Sequence, residues 1–305
     1  MKTRVVLFVA SLLQLLPLST NAQLLYKISG NGLEKPSYII GTHHLANVGF
    51  VDKIPGVKEA LTEAEQVYGE LRWDALTNPD SLAAMQKVMQ LPEGKTLKDV
   101  LTEDQYKRLD AFMTAKLGAG MSNPMVAAQM GKMTPMALVT QFQVLLYMMN
   151  HMGEFDPTST FDQYFQAQAQ KNNLPCGGLE TVAFQAQLLY GSHPMQRQVE
   201  NLMCLIDNEQ VYSQMMEEMT KAFYAQDLDA LKKSMDIKLG TSCDSTPEEE
   251  AALIDNRNAD WLTKMPAIMR QRPTFFVVGA GHLPGEKGVL QLLRNAGYTV
   301  EGLKD

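Results

Sequence analysis

The chain has 305 residues and a formal charge of −7 at neutral pH. No basic patch stands out, which argues against nucleic acid as a partner and against an anionic membrane surface. The length suits one large α/β domain with a sizeable core.

The first residues read as a leader rather than as fold. Lys2 and Arg4 give a charged start, Val5 to Leu18 is apolar but broken by Gln14 and Pro17, and Thr20-Asn21-Ala22 offers small residues. This pattern predicts a signal peptide over residues 1–22, cleaved after Ala22. The apolar run falls short of the roughly 20 residues a spanning helix needs, and no later stretch reaches that length. The chain is therefore expected to be exported, periplasmic or secreted, with no stable membrane insertion and a single domain over residues 23–305.

Leu24 to Ser29 and Tyr38 to Ile40 read as two strands joined by the turn Gly30 to Pro36, a hairpin with a long loop. The second strand runs into Gly41-Thr42-His43-His44-Leu45. A helix is expected from about Pro55 to Glu65, then a strand, Val67 to Leu71, that carries Glu70. From about 80 to 236 the chain reads as a helical middle, a cap beside or over the sheet. Leu97 to Leu117 has apolar residues at helical spacing, with Thr102 and Gln105 as a possible helix start. Pro135 to Met149 and Phe161 to Lys171 read as further helices. A short strand, Pro175 to Leu179, then ends at Glu180. Helices follow over Ala183 to Tyr190, Gln196 to Ala225 and Leu228 to Met235. Thr246-Pro247-Glu248-Glu249 opens one that should run to about Arg270. Many of the 20 methionines lie in the middle, where core filling is their ordinary role.

Phe275 to Val278 is a short apolar run of aromatic and β-branched residues, as in a buried strand. Gly279-Ala280-Gly281-His282 follows, then a helix near Lys287 to Asn295 and a strand at Tyr298 to Val300. This design repeats the earlier one. Tyr38-Ile39-Ile40-Gly41-Thr42-His43-His44-Leu45 aligns without a gap on Phe276-Val277-Val278-Gly279-Ala280-Gly281-His282-Leu283. Each copy is followed by a helix and a strand bearing a Glu, Glu70 in one and Glu301 in the other. Ligands of open α/β sheets bind beyond the carboxyl ends of strands, so the two Gly-x-x-His turns are expected to meet in one mixed sheet.

Two imidazoles and a carboxylate at adjacent strand ends suit Zn, Mn or Fe with positions left open. His44, His282 and Glu70 form that candidate set. His43 points away from His44 on an extended segment and is matched by Gly281, so it is a substrate-positioning candidate rather than a ligand. Glu180 reads equally as an acid or base and as a helix N-terminal carboxylate. Arg257 and Asn258 read as a solvated helix face or as a clamp for an anion or oxyanion, with Asn258 against substrate. His151 and His193 read as loop residues. Of the cysteines, Cys204 and Cys243 are the expected pair, because Cys176 lies against a predicted buried strand. No Gly-x-Ser-x-Gly elbow, Walker loop, His-Glu-x-x-His or dinucleotide fingerprint is present.

Over nearly all of the chain after the leader, the sequence resembles the TraB/GumN group, related to the Tiki and pheromone-shutdown proteins. The resemblance rests on PSYIIGTHH at Pro36 to His44, the strand ending at Glu70, GGLETVAFQ at Gly177 to Gln185, RNADW at Arg257 to Trp261, and VVGAGHLPGEKGVLQLLRNAGYTV at Val277 to Val300. LTEDQYKRL at Leu101 and MTPMALV at Met133 match its helical middle, where Met136 replaces a frequent Trp. The resemblance implies an erythromycin-esterase-like fold and a divalent-metal hydrolase of the Mn- or Co-dependent peptidase type, with His44, His282 and Glu70 at its centre. A metal-dependent hydrolase of peptides, using Mn, Co or Zn, is therefore the first expectation. A non-catalytic peptide or cofactor binder and a metal-free esterase-like hydrolase, with His44 or Glu70 as base, are the alternatives.

Overall fold

The structure, a computed structural model, describes residues 23–154 and 159–304; the expected leader lies outside them. Six strands form one mixed sheet in the order β4-β3-β5-β2-β1-β6. These are β1 (Leu25–Gly30), β2 (Ser37–Thr42), β3 (Gln66–Gly69), β4 (Cys176–Gly178), β5 (Thr274–Gly279) and β6 (Tyr298–Gly302). β1 is antiparallel to both β2 and β6, while β2, β5, β3 and β4 run parallel. All of β2 and all of β5 except its last residue are buried. That is why their sequences read as continuous apolar runs instead of alternating ones.

β2 and β5 are neighbours, so both Gly-x-x-His turns leave the same end of the sheet. Their register is staggered by one residue: Gly41 stands opposite Val278, and Thr42 opposite Gly279. The crossing is tight at Gly41. A Cβ there would lie 2.9 Å from both Ala280 Cα and Leu283 Cδ1, and a backbone atom cannot swing aside. Gly41→Ala is expected to cost about 1–3 kcal/mol by overpacking, seen as a lower urea midpoint at unchanged slope. A loss below about 0.5 kcal/mol would show that the turn after β5 yields freely.

Two apolar cores form. One surrounds the sheet and includes Phe161, Phe165, Phe223, Trp261 and Phe275. The other lies among helices and includes Leu97, Leu109, Phe112, Leu138, Phe142 and Leu202. Within the stretch expected to be a cap, residues 161–169 and 222–231 thus pack with the sheet, while Leu91 to Leu146 and Val199 to Leu205 supply the second core.

Helix boundaries follow local chemistry. Leu97–Leu117 divides into Leu97–Val100 and Glu103–Leu117, because Thr96 with Asp99 and Thr102 with Gln105 each complete a reciprocal cap. The span expected over Gln196 to Ala225 breaks at Asn208 into Met195–Asp207 and Glu209–Tyr224. Thr246 caps as expected, with Glu249 returning the bond. Two π-helical turns depart from the expected helices: Gln187–Gly191 after the helix Val182–Ala186, and Ala251–Asp255 before the helix Asn256–Gln271. Cys204 and Cys243 form the expected disulfide, and Cys176 is free and half-buried. Glu301 lies exposed on β6 opposite Lys27. β6 is at the far edge of the sheet from β3, so the second copy's acid has no part in the site.

Candidate active site

Glu70 follows β3, which sits beside β5, so its side chain reaches the turn after that strand. Its Oε1 accepts the Gly279 N–H at 2.7 Å. The absence of a Cβ at Gly279 permits this, since one would press on Glu70 Oε1 at 3.2 Å. Oε2 accepts from Arg257 Nη2 at 2.6 Å and from Gln185 Nε2 at 3.0 Å. Burial drives the Glu70 carboxyl upward, but His282, Arg257, His44 and the Gly279 N–H outweigh it and hold it below its ordinary value.

His282 ends the short 3-10 turn Ala280–His282 and is buried. Asn258 Nδ2 donates to the carbonyls of His282 and Lys287, at 3.2 and 2.9 Å, which fixes the amide so that Oδ1 faces the ring. Oδ1 lies 2.7 Å from His282 Nδ1. Nδ1 therefore carries the proton and Nε2 keeps its lone pair. Arg257 Nη1 stands 3.0 Å from Nε2, and Glu70 Oε1 3.8 Å from it. Burial, with Arg257 and His44 nearby, pushes the ring's pKa down to about 4. Trp261 covers its face at 4.4 Å between centroids.

The guanidinium of Arg257 ties these groups together. It also donates to both Glu180 oxygens, Nε to Oε1 at 2.8 Å and Nη2 to Oε2 at 2.9 Å. Trp261 Nε1 and Gln185 Nε2 complete the Glu180 shell at 2.8 Å each. Arg257 and Asn258 are buried, on the face of the helix Asn256–Gln271 that also buries Trp261, Met265 and Met269. The solvated-face reading of the pair is thereby corrected. Neighbours at i, i+1 and i+4 share that side because the helix packs against the sheet.

His44 has a different anchor. Its Nδ1 lies 2.7 Å from Asp162 Oδ2, and Thr42 Oγ1 donates to Asp162 Oδ1. Asp162 sits in the first turn of the helix Phe161–Lys171, where the dipole favours a carboxylate. Burial opposes that charge, but His44 and Thr42 overcome it, and the carboxyl stays below its usual range. Asp162 in turn raises the pKa of His44 to about 9. The His44 side chain is 72% accessible, and what it faces is a cavity. His43 is held by other partners, although both rings line the same cavity. Its Nδ1 accepts the Leu45 N–H at 3.2 Å, its ring lies against Tyr147 and Phe223, and burial lowers its pKa to about 4.

His43, His44, Glu70, Arg257 and His282 all line one cavity of about 500 Å³. Glu180 and Asn258 stand behind it, holding Arg257 and His282. His151 pairs with Glu217 at 2.7 Å and His193 with Glu249 at 3.2 Å, and neither faces the cavity. Asp162 carries no signal of a site in the sequence. Only its place after a Thr cap is visible there, and nothing links it to a histidine 118 residues away. Gln185 lies at the end of the GGLETVAFQ motif, which by itself assigns it no role.

The donor chemistry fits a divalent ion. Both rings have Nδ1 tied to an oxygen acceptor, as metal-ligating imidazoles usually do, and Glu70 supplies the carboxylate. The spacing is not closed into a ready site, since Arg257 occupies the acceptors of Glu70 and His282. Among the described residues no three His, Cys, Asp or Glu side chains are grouped to hold a metal.

The profile of the TraB/PrgY/gumN family matches residues 24–302. Metalloprotease TIKI1 of Homo sapiens is 27% identical over 88% of this chain and 60% of its own length. Metalloprotease TIKI1 of Xenopus tropicalis is 28% identical over 88% and 59%. Metalloprotease TIKI2 of Xenopus tropicalis is 25% identical over 87% and 57%. The chain thus spans about six-tenths of the length of these curated relatives.

Proposed function

The chain belongs to the TraB/PrgY/gumN family, and from that premise we propose that it is an exported peptide hydrolase using a divalent metal, Mn, Co or Zn, held by His44, His282 and Glu70. The observation that carries this reading is the matched treatment of the two rings. Asp162 behind His44 and Asn258 behind His282 each hold Nδ1 and leave Nε2 as the second nitrogen of the ring, beside the cavity that Glu70 also lines; on His282 that nitrogen takes the Arg257 Nη1 hydrogen bond, which a bound ion would have to displace. Peptides are the proposed substrate because the relatives are named metalloproteases. The disulfide supports export, since such bonds persist in oxidising compartments. Among the described residues no helix is long and apolar enough to cross a membrane.

A bound divalent ion supplies a Lewis acid that polarises an amide carbonyl and acidifies a water. The chain's own groups orient and balance. Asp162 fixes the His44 ring, and Asn258 fixes the His282 tautomer. Glu180 and Glu70 hold Arg257, whose Nη1 also donates to the Leu253 carbonyl and lies against His282 Nε2, so that its positive charge sits at the cavity wall with every N–H already engaged. Apolar side chains such as Leu188, Met219 and Leu231 line the cavity around them.

A metal-free route is the second reading. It is favoured by the guanidinium already lying between Glu70 and His282. His44 would then move the proton, held by Asp162. The deciding experiment is elemental analysis of protein purified without added metal, followed by peptide cleavage before and after chelation. About one divalent ion per chain, activity lost to chelator and recovery with Mn, Co or Zn are expected. Undiminished cleavage in excess chelator would select the metal-free route.

A further inference from the structure

The cavity that holds the polar cluster is not the only one there. A second, of about 300 Å³, shares part of its lining. His44, Glu70 and Gln185 line both. The reactive groups therefore stand at the junction of two chambers, not at the bottom of one.

Away from that junction both chambers are largely apolar, with Thr140 and Gln143 in the larger wall and Thr160 and Gln166 in the smaller. The larger is walled by Val144, Leu188, Met219, Leu231 and Ile254, and Leu189 and Leu253 stand exposed where the two π turns meet its mouth. π turns are frequent at functional sites, because the extra residue re-aims side chains. The smaller is walled by Leu71, Trp73, Leu76 and Val277. Apart from the rings of His43, His44 and His282, the charged side chains in the larger chamber are Glu70 and Arg257, and in the smaller Glu70 and Asp162. All of these are paired with one another or with His44 at the junction. Neither far wall has an ion partner, so a charged side chain or a free terminus would be buried there uncompensated.

We propose that a polypeptide lies across His44 and Glu70 with a large uncharged side chain in each chamber, one on either side of the bond that is cut, so that internal bonds are cleaved and termini are not trimmed. This rests on the peptide-hydrolase reading above. Hydrolysis adds one water across the amide: hydroxyl goes to the carbonyl carbon and a proton to the leaving nitrogen. The two products depart from opposite chambers.

The probes are N-acetylated, C-amidated octapeptides with Leu-Leu, Leu-Ala, Ala-Leu or Glu-Glu at the centre. Shortened Leu-Leu peptides with free termini place the same bond at a chain end. Cleavage is followed by mass spectrometry, and binding to the chelated protein by calorimetry. Leu-Leu should exceed either single-Leu peptide at least about tenfold in kcat/KM and in affinity, and Glu-Glu about a hundredfold. Val144→Trp, which fills the larger chamber, should erase the preference on one side only. Leu76→Arg, which charges the smaller one, should erase it on the other. Neither residue belongs to the polar cluster. Preference on one side alone, none at all, or faster cutting at a free terminus overturns the proposal. If no peptide is cut but the binding preference and its division between the two variants persist, the hydrolase reading falls and the two-chamber cleft stands. If peptides are cut without preference, the cleft falls and the hydrolase reading stands.

Discussion

Arg257→Leu is expected to destabilise the protein by about 3–5 kcal/mol, the cost of leaving a buried charge without its partner. The Arg257 side chain is 7% exposed, and those of Glu70 and Glu180 are 13% and 2% exposed. Without the guanidinium, two largely buried carboxylates lose their shared cation, leaving Gln185, Trp261, the Gly279 N–H and the His282 and His44 rings to oppose their charge. Arg257→Lys should recover part of the loss, because it keeps the charge but not the planar fork that serves both acids. Combining Arg257→Leu with Glu70→Gln and Glu180→Gln should recover most of it. Urea denaturation of the four proteins measures this. A single-variant loss below about 1 kcal/mol would mean that water reaches the cluster and screens it. The pH dependence has a definite sign. The native Glu70 carboxyl is held below 4.5, so its contribution is present above the unfolded pKa and is lost as pH falls through the folded one. Arg257→Leu lacks that contribution, and the gap to the native protein should narrow in acid.

His282→Ala is expected to lower kcat/KM by about 10²–10⁴-fold, as for loss of a positioned acid, base or ligand. Asp162→Asn should lower it by about 10–100-fold, the usual cost of disturbing the group behind a ligating imidazole. Asn keeps the shape and an acceptor for the His44 ring. It removes the charge that raises His44 to about 9, so ring basicity falls while the fold persists. Steady-state kinetics with titration of Mn or Zn separates the effects: Asp162→Asn should weaken metal retention as well as turnover. Wild-type kinetics in Asp162→Asn would show that His44 acts without its carboxylate.

The sheet and its site were legible wherever the chemistry was local. Apolar runs before Gly41 and Gly279 marked the central strands, and matching Gly-x-x-His turns after them marked where side chains would emerge. Glu70 was legible as an acid at a strand end. Glu301 read the same way, because one sequence cannot say at which edge of a sheet a strand will lie. Arg257 and Asn258 read ambiguously, since burial of a helix face depends on what packs against it. Asp162 was invisible, because its meaning is a contact between distant segments. The π turns were hidden too: one extra residue in a helical run disturbs the periodicity less than ordinary polar substitutions do.

The turn Ala251–Asp255 joins two grips on a single rod. On one side Glu249 meets Arg197 through a two-pronged ion pair, with both contacts at 2.9 Å; on the other Arg257 grips Glu180. One residue advances a helix by about 100°, so the widened turn sets the angular phase between these handles. A regular turn in place of Ala251–Asp255 would put Arg257 at another angle around the rod while Glu249 stayed on Arg197, so the direction in which the guanidinium leaves its helix depends on that one widened turn.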